Sequence, residues 1–569
     1  MRRRLMSGGA VISLFVATGL AGMSGATSAA TPGDQRVTNG NPGTPFPQNK
    51  QNEPGLALDP SSPKTLVAGS NDEIDLGPCR GSSCPFTPGV GVSGVYFSFD
   101  GGGSWSQPTY HGYSDRTGTP VANGPIGTLP NYYEAGLVSG GDPELAFGPR
   151  PDGHGGFTYT GGSRLYYANL ASNFPGTSTT AGFEAVTVSH ADDLVSAAAG
   201  NNSAWSAPVV ESKQNAALFS DKESITADSA KTSPHFGNVY VCNVAFRGKG
   251  KSSAVPEPVL IGRSTDGGAS FTIRQATAAT DKNQTGGRQG CALRTDSHGN
   301  VVLVFSGFSK QLNSGVFYQE ISRDGGSTFS RPVVVAKTAG IGQFDPVQGR
   351  FTIDGVAGSR TDVFPSLDIA NGAPSGTDAT NEIVLSWADD RAGQNNEKAY
   401  LQYSTNGGAS YSAPAAVSDL AEGRANQPAI AIAPDGSEIY LTYNAYRQPW
   451  QKSTALSRLM NGVLRKAPVS KGAPGPFATV HTGTPGDARG SSSNSLSDEF
   501  LGDYNYAVAS RSSGVAVFND VRNAADCTAI DTYRQSLVTG PATAKPAPAT
   551  SCPPRFGNSD IYSSSSTTP

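Results

Sequence analysis

A chain of 569 residues with a formal charge of -4 and only 15% charged residues carries no basic field for nucleic acid or an anionic membrane, and neither partner is expected. Its 70 glycines and 40 prolines, set against four methionines, suit a turn-rich all-β chain, and no long helical periodicity competes with that reading.

From the start of the chain, Arg2 to Arg4 precede an apolar run from Val11 to Leu20 and the small-residue site Ser28-Ala29-Ala30, the pattern of an export signal cut after Ala30. That run is too short to span a bilayer, and no later stretch of about twenty apolar residues follows. A secreted, extracellular, monomeric protein is expected. Its six cysteines suit oxidised pairs, and nearness along the chain or in the repeats joins Cys79 to Cys84, Cys242 to Cys291 and Cys527 to Cys552. No Cys-x-x-Cys or His-x-x-x-His spacing occurs, so no metal and no cofactor are expected.

Residues 31–50 form an N-terminal extension, and two units recur through residues 51–540. The first is an octapeptide: SFDGGGSW (98–105), STDGGASF (264–271), SRDGGSTF (322–329) and STNGGASY (404–411). Asp100, Asp266, Asp324 and Asn406 are placed to bond local backbone N–H groups, the glycines accept positive φ, and the last aromatic is placed for burial: a tight hairpin turn. AWSAP (204–208) resembles a fifth copy with an enlarged turn. The second unit is a pair of apolar strands, found seven times. The first strands begin near Gly55, Glu144, Ser224, Cys291, Ser366, Ala429 and Tyr506, and their partners near Thr65, Gly156, Asn238, Asn300, Glu382, Glu438 and Gly514. A pair plus an octapeptide hairpin makes one four-stranded antiparallel blade. This predicts a β-propeller of seven blades, or six if a terminal pair packs elsewhere. The Pro/Ala/Ser/Thr-rich segment 541–569 is pinned by Cys552, and residues 31–50 or the strand near Asp560-Ile561-Tyr562 would complete a blade.

The octapeptides resemble the Asp-box repeats of the sialidase superfamily, over roughly residues 53 to 538. The resemblance implies a propeller with its boxes on the blade periphery, away from the active site. Sialidases hold a substrate carboxylate with three arginines, and use a glutamate-activated tyrosine as nucleophile and an aspartate as acid/base. Their early Phe/Tyr-Arg-Ile-Pro motif is absent here, the nearest string being Tyr446-Arg447-Gln448-Pro449.

In such a blade the start of the first strand and the end of the second meet at one mouth of the channel, and the octapeptide hairpin points to the other. After the second strands, Cys242 to Arg247, Phe305 to Lys310, Trp387 to Arg391, Tyr443 to Arg447 and Phe518 to Arg522 each place a cation, with Arg164 as the second blade's version. Arg247, Arg391, Arg447 and Arg522 are therefore candidates for an anion, because the guanidinium fork suits a carboxylate or sulfate. The alternative is that each simply pairs with a neighbour such as Asp390 or Asp520. The first strands begin acidic, at Glu53, Asp362 and the candidate acids Asp142, Glu144, Asp221, Glu223 and Asp503, with Tyr504 as nucleophile if the chemistry is sialidase-like. The expected function is engagement of an extracellular glycan or other anionic polymer at that mouth. The alternatives are an exo-acting glycosidase of sialidase type and a non-catalytic protein-binding scaffold.

Overall fold

The computed structural model describes residues 33–176, 184–213, 218–247, 257–277 and 289–567; the expected export signal lies outside them. Seven antiparallel four-stranded blades form a β-propeller. Their innermost strands, Gln51–Leu58, Leu137–Pro151, Leu218–Ala227, Gln289–Thr295, Ser366–Ile369, Arg424–Ile432 and Tyr506–Ala509, touch one another in sequence and the last meets the first. In blade 1 the outermost place is taken by Ser106, which bridges Phe97 of the third strand.

Local chemistry explains the strand ends. The turns from first to second strand are closed by aspartates that bond the backbone ahead: Asp59 takes the Ser61 N–H at 2.8 Å, Asp296 those of His298 and Asn300 at 2.9 Å, and Asp435 that of Ser437 at 3.1 Å. Between blades the alternating side chains interlock. Blades 2 and 3 share a buried cluster that includes Tyr166, Val188, Ile225 and Val241, and blades 3 and 4 one that includes Cys242, Ile261, Leu293 and Phe305. The three expected disulfides are present, and Cys242–Cys291 ties these last two blades together.

Two expectations are corrected. The second strand of blade 2 runs Phe157–Asn173, and the predicted segment GFTYT is only its extension: Leu145 faces Tyr167, while Phe157 reaches back to Pro151. Arg164 therefore lies near the beginning of that strand, on the octapeptide side, bonded to Asp192 at 2.6 Å and the Gly267 carbonyl at 2.8 Å. The ring is closed by both chain ends, since Asp560–Thr567 is the third strand of blade 7 and Gln35–Arg36 its outermost.

One buried carboxyl sets a stability prediction. Glu211, in the fourth strand of blade 2, packs against Gly262 of blade 3 with one oxygen lacking a hydrogen-bond partner, and burial pushes its pKa up from 4.5 to about 8. Raised in the folded state, it costs nothing below the unfolded value and destabilises progressively from pH 4.5 to about 8. Glu211→Gln is expected to stabilise the fold by on the order of 2–4 kcal/mol at pH 8 and hardly at all at pH 4, measured by denaturant unfolding.

Candidate functional site

In five blades the innermost strand enters through a bulge, between Asn52 and Gly55, Gly141 and Glu144, Asp221 and Ser224, Gln289 and Cys291, and Asn426 and Ala429. Inside four of these bulges Glu53, Asp142, Lys222 and Gln427 take φ of 55°, 51°, 56° and 53°; Gly290 holds the equivalent place in blade 4. Left-handed backbone at a non-glycine residue costs about 1 kcal/mol or more and persists only where its surroundings insist on it. Here the insistence comes from the neighbouring blade. Asn519, ending the second strand of blade 7, accepts the Glu53 N–H at 3.0 Å, and Asn71, ending that of blade 1, accepts the Asp142 N–H at 2.6 Å. The bulges turn polar side chains over the channel, and three of them, Glu53, Asp142 and Lys222, meet Asp503 and Arg360 in one cluster.

The cluster is a closed ring of charges. Arg360 Nη2 lies 3.1 Å from Glu53 Oε1 and donates to Asp503 Oδ2 at 3.0 Å. Its Nε is 2.7 Å from Asp503 Oδ1, as an ion pair whose N–H is not aligned on that oxygen. Lys222 Nζ is 2.7 Å from Asp503 and 3.7 Å from Asp142, and the Asp142 carboxyl shares a hydrogen bond with Glu53. Asn71 Nδ2 spans that last pair, at 2.7 Å from Glu53 and 3.3 Å from Asp142.

The members titrate apart. Burial, then the neighbouring Glu53 charge, holds the Asp142 carboxyl well above the usual carboxylate range. Burial also works against Asp503, but Arg360, Lys222 and Arg350 outweigh it and hold that carboxyl below its ordinary value. Lys222, despite burial, is kept charged by Asp221, Asp503 and Asp142.

Above it lies a cavity of about 540 Å³, walled by Lys50, Glu73, Asp221, Arg350, Phe500 and Ser493 to Ser495 among others. The other cations here are also held: Lys50 lies 2.9 Å from Glu73, and Arg350 contacts Asp362, whose carboxyl burial and the Asp503 charge push up to about 6. Below, Lys222 and Asp503 separate the mouth from a small inner chamber of about 100 Å³. This chamber holds Glu144, Glu223 and Tyr504, and Arg294 and Tyr506 part it from a third cavity of about 250 Å³ at the opposite mouth. Burial pushes Glu144 up to about 8 and Glu223 well above its usual range, and both carboxyl oxygens of Glu223 lack a hydrogen-bond partner. Burial and the nearby Asp142 and Glu53 raise the Tyr504 hydroxyl, which works against a phenolate nucleophile there.

Of the expected acids, the structure thus gathers Asp142, Asp221 and Asp503 at the mouth and sets Glu144, Glu223 and Tyr504 one level deeper. The second-strand arginines are placed otherwise. Arg391 pairs with Asp389 and lies 4.5 Å over Tyr400; Arg522 pairs with Asp520 at 2.6 Å and with Asp34, 4.0 Å over Tyr562; Arg447 is exposed and donates to Asn461 at 2.8 Å. None of these three lines the mouth cavity. Arg247 ends its strand, and its side chain lies outside the described residues. The octapeptides sit between third and fourth strands: Asp324 accepts the Thr328 N–H at 2.8 Å and its hydroxyl at 2.6 Å, which together lower its carboxyl to about 2. Asp100 and Asp266 do likewise, and Asn406 accepts the Ser410 N–H at 3.0 Å.

Sequence reasoning missed Lys222, Arg360, Arg350 and Asn71. Lys222 stood between two acids that drew the attention, and Asn71 is the residue type also found at Asn243, Asn444 and Asn519 in the very strings read for their arginines. Arg350 and Arg360 come from an insertion between blades 4 and 5 whose destination no local pattern announces.

No protein family and no curated protein matches the chain in sequence. Among solved structures it is similar to the Hadza microbial sialidase Hz136, at 15% identity over 69% of this chain and 63% of that one with a TM-score of 0.39. It is also similar to an intramolecular trans-sialidase from Ruminococcus gnavus in complex with oseltamivir carboxylate, at 15% identity, 70% and 90% coverage and a TM-score of 0.38. A third is the Penicillium chrysogenum α-L-arabinanase complexed with arabinobiose, at 9% identity, 74% and 92% coverage and a TM-score of 0.36. Likeness at this level assigns no activity to the chain, and its chemistry has to be read from the ring of charges itself.

Proposed function

We propose that this is an exported glycan-engaging propeller whose working site is the mouth ringed by Glu53, Asp142, Lys222, Arg360 and Asp503, and that it acts there as a glycoside hydrolase. The observation that carries this reading is a carboxyl, Asp142, held well above its usual range and hydrogen-bonded to Glu53, beside a carboxylate, Asp503, held below its own, in a cavity large enough for a sugar residue or two. Glycoside cleavage needs this division: one carboxyl donates a proton to the leaving oxygen while another, ionised, faces the positive charge developing on the sugar. The Glu53–Asp142 pair donates, with Asp142 as the acid. Asp503 supplies the negative charge, with Arg360 and Lys222 fixing its position.

Charge selects the substrate. Lys50, Lys222, Arg350 and Arg360 each have a carboxylate partner already, so an anionic sugar entering the mouth competes with those carboxylates for them. This favours a neutral glycan over the anionic polymer expected from sequence. The test is to incubate the purified protein with neutral polysaccharides (arabinan, galactan, xylan, mannan, starch), with polygalacturonate, and with aryl glycosides including a sialoside. Release of reducing ends from a neutral substrate is the expected result. Activity confined to the sialoside or polygalacturonate would overturn the neutral assignment, and no release from any substrate would overturn the hydrolase.

A further inference from the structure

The insertion between blades 4 and 5 faces two ways. Gln343–Asp345 and Arg350–Thr352 form a short hairpin in which Asp345 is opposite Arg350 and Phe344 opposite Phe351. Side chains alternate across such a ribbon, so the acid and the arginine share one face and the two rings the other. On the inward face, Asp345 is fully buried and accepts the Val347 N–H at 2.7 Å and the Ala357 N–H, while Arg350 reaches Asp362 and lines the mouth cavity. On the outward face the rings of Phe344 and Phe351 stand 56% and 47% exposed, 6.0 Å apart and edge to face.

Folding gains nothing from holding two phenylalanines in water, and a paired apolar surface with a polar rim is the signature of a contact surface. Its support is firm. Thr361 N–H donates to the Phe351 carbonyl at 3.2 Å, the Thr352 hydroxyl to the Gly355 carbonyl at 2.6 Å, and the Trp450 indole to Thr352 at 3.2 Å. A platform fixed in advance loses little freedom when something settles on it.

We infer that Phe344 and Phe351 form a stacking shelf for a sugar ring of the same neutral glycan whose end enters the mouth, so that the substrate is an oligosaccharide or polysaccharide and not a lone terminal sugar. The inference rests on the proposed function. It is carried by continuity, because Arg350, which lines the cavity, is one Cα step of about 3.8 Å from Phe351. A chain that leaves the mouth across the edge of this hairpin meets the rings on its other face. It is carried also by chemistry: one face of a neutral sugar ring is a sheet of C–H groups that an aromatic ring covers, while its hydroxyls stay in water.

The experiment compares the full protein with a Phe344→Ala/Phe351→Ala double variant and with Phe344→Trp. Each is assayed on the hexasaccharide of whichever neutral glycan it cleaves and on the aryl monoglycoside of the same sugar. The double variant is expected to raise KM for the hexasaccharide about tenfold, leaving the aryl monoglycoside and the thermal midpoint unchanged, and Phe344→Trp to keep or lower the hexasaccharide KM. An unchanged hexasaccharide KM, or an equal loss on both substrates, would overturn the shelf while leaving the hydrolase in place. A wild-type dimer that becomes monomeric in the double variant on sedimentation would assign the rings to self-association instead. If the wild type cleaves no neutral glycan, the function falls and the shelf with it.

Discussion

Asp142→Asn is expected to lower kcat on a neutral glycan by about a thousandfold while KM changes only a few-fold, because the amide keeps the shape and the Asn71 contact but has no proton to give. A substrate with a good leaving group needs no such proton, so an aryl glycoside bearing nitrophenol should lose far less. The pH profile carries the sign. A donor held well above the ordinary carboxylate range stays protonated, and active, below its raised pKa, and activity falls as pH rises through it. Asp503, held below its ordinary value, remains ionised throughout that range and contributes no acid limb there. Wild-type activity should therefore fall on the alkaline side, and the residual activity of Asp142→Asn should lack that fall. Hydrolysis within tenfold of wild type on every substrate would remove Asp142 from the chemistry.

The second large effect concerns the segment that brings Asp503 to the mouth. Arg458 and Glu499 are wholly buried, 3.0 Å apart, and Arg458 also donates to the carbonyls of Asp354, Val356 and Ser453. Burial and the adjacent Asp354 charge raise the Glu499 carboxyl, and the two acids share a hydrogen bond as well as the arginine. Arg458→Met strips three carbonyls and the Glu499 carboxyl of their donor at once, and is expected to cost about 3–5 kcal/mol in denaturant unfolding. Glu499→Gln retains an acceptor for Arg458 and leaves its three carbonyl bonds in place, so it should cost less than half as much. Equal losses in the two variants would mean that packing, and not the guanidinium, holds this layer.

The fold was legible because its signals are local and repeated. An aspartate, two glycines and an aromatic specify a hairpin wherever they occur, and seven apolar pairs at regular intervals leave few architectures open. Blade 2 misled because its inner hairpin continues past the core, so that Phe157 to Thr160, apolar enough to pass for the second strand, proved to be an extension. The acidic strand starts of the site were legible for the same local reason. The recurrence of arginine after the second strands has a local account at two places: Asp389-x-Arg391 and Asp520-x-Arg522 place each guanidinium on its own acid two residues back. The cation that counts, Arg360, reaches Glu53 and Asp503 from 307 and 143 residues away, a separation at which a single sequence carries no signal.

The closure of the ring by both chain ends bears on what holds the charge cluster together. Glu53 belongs to blade 1 and Asp503 to blade 7, so Arg360 grips the two sides of the seam that Asp560–Thr567 and Gln35–Arg36 seal. Without Asp560–Thr567 the Gln35–Arg36 strand has no partner, and the carboxylates face each other across an unfastened joint. Removing Asp560–Thr567 is therefore expected to loosen the two carboxylates that Arg360 bridges, even with six blades in place.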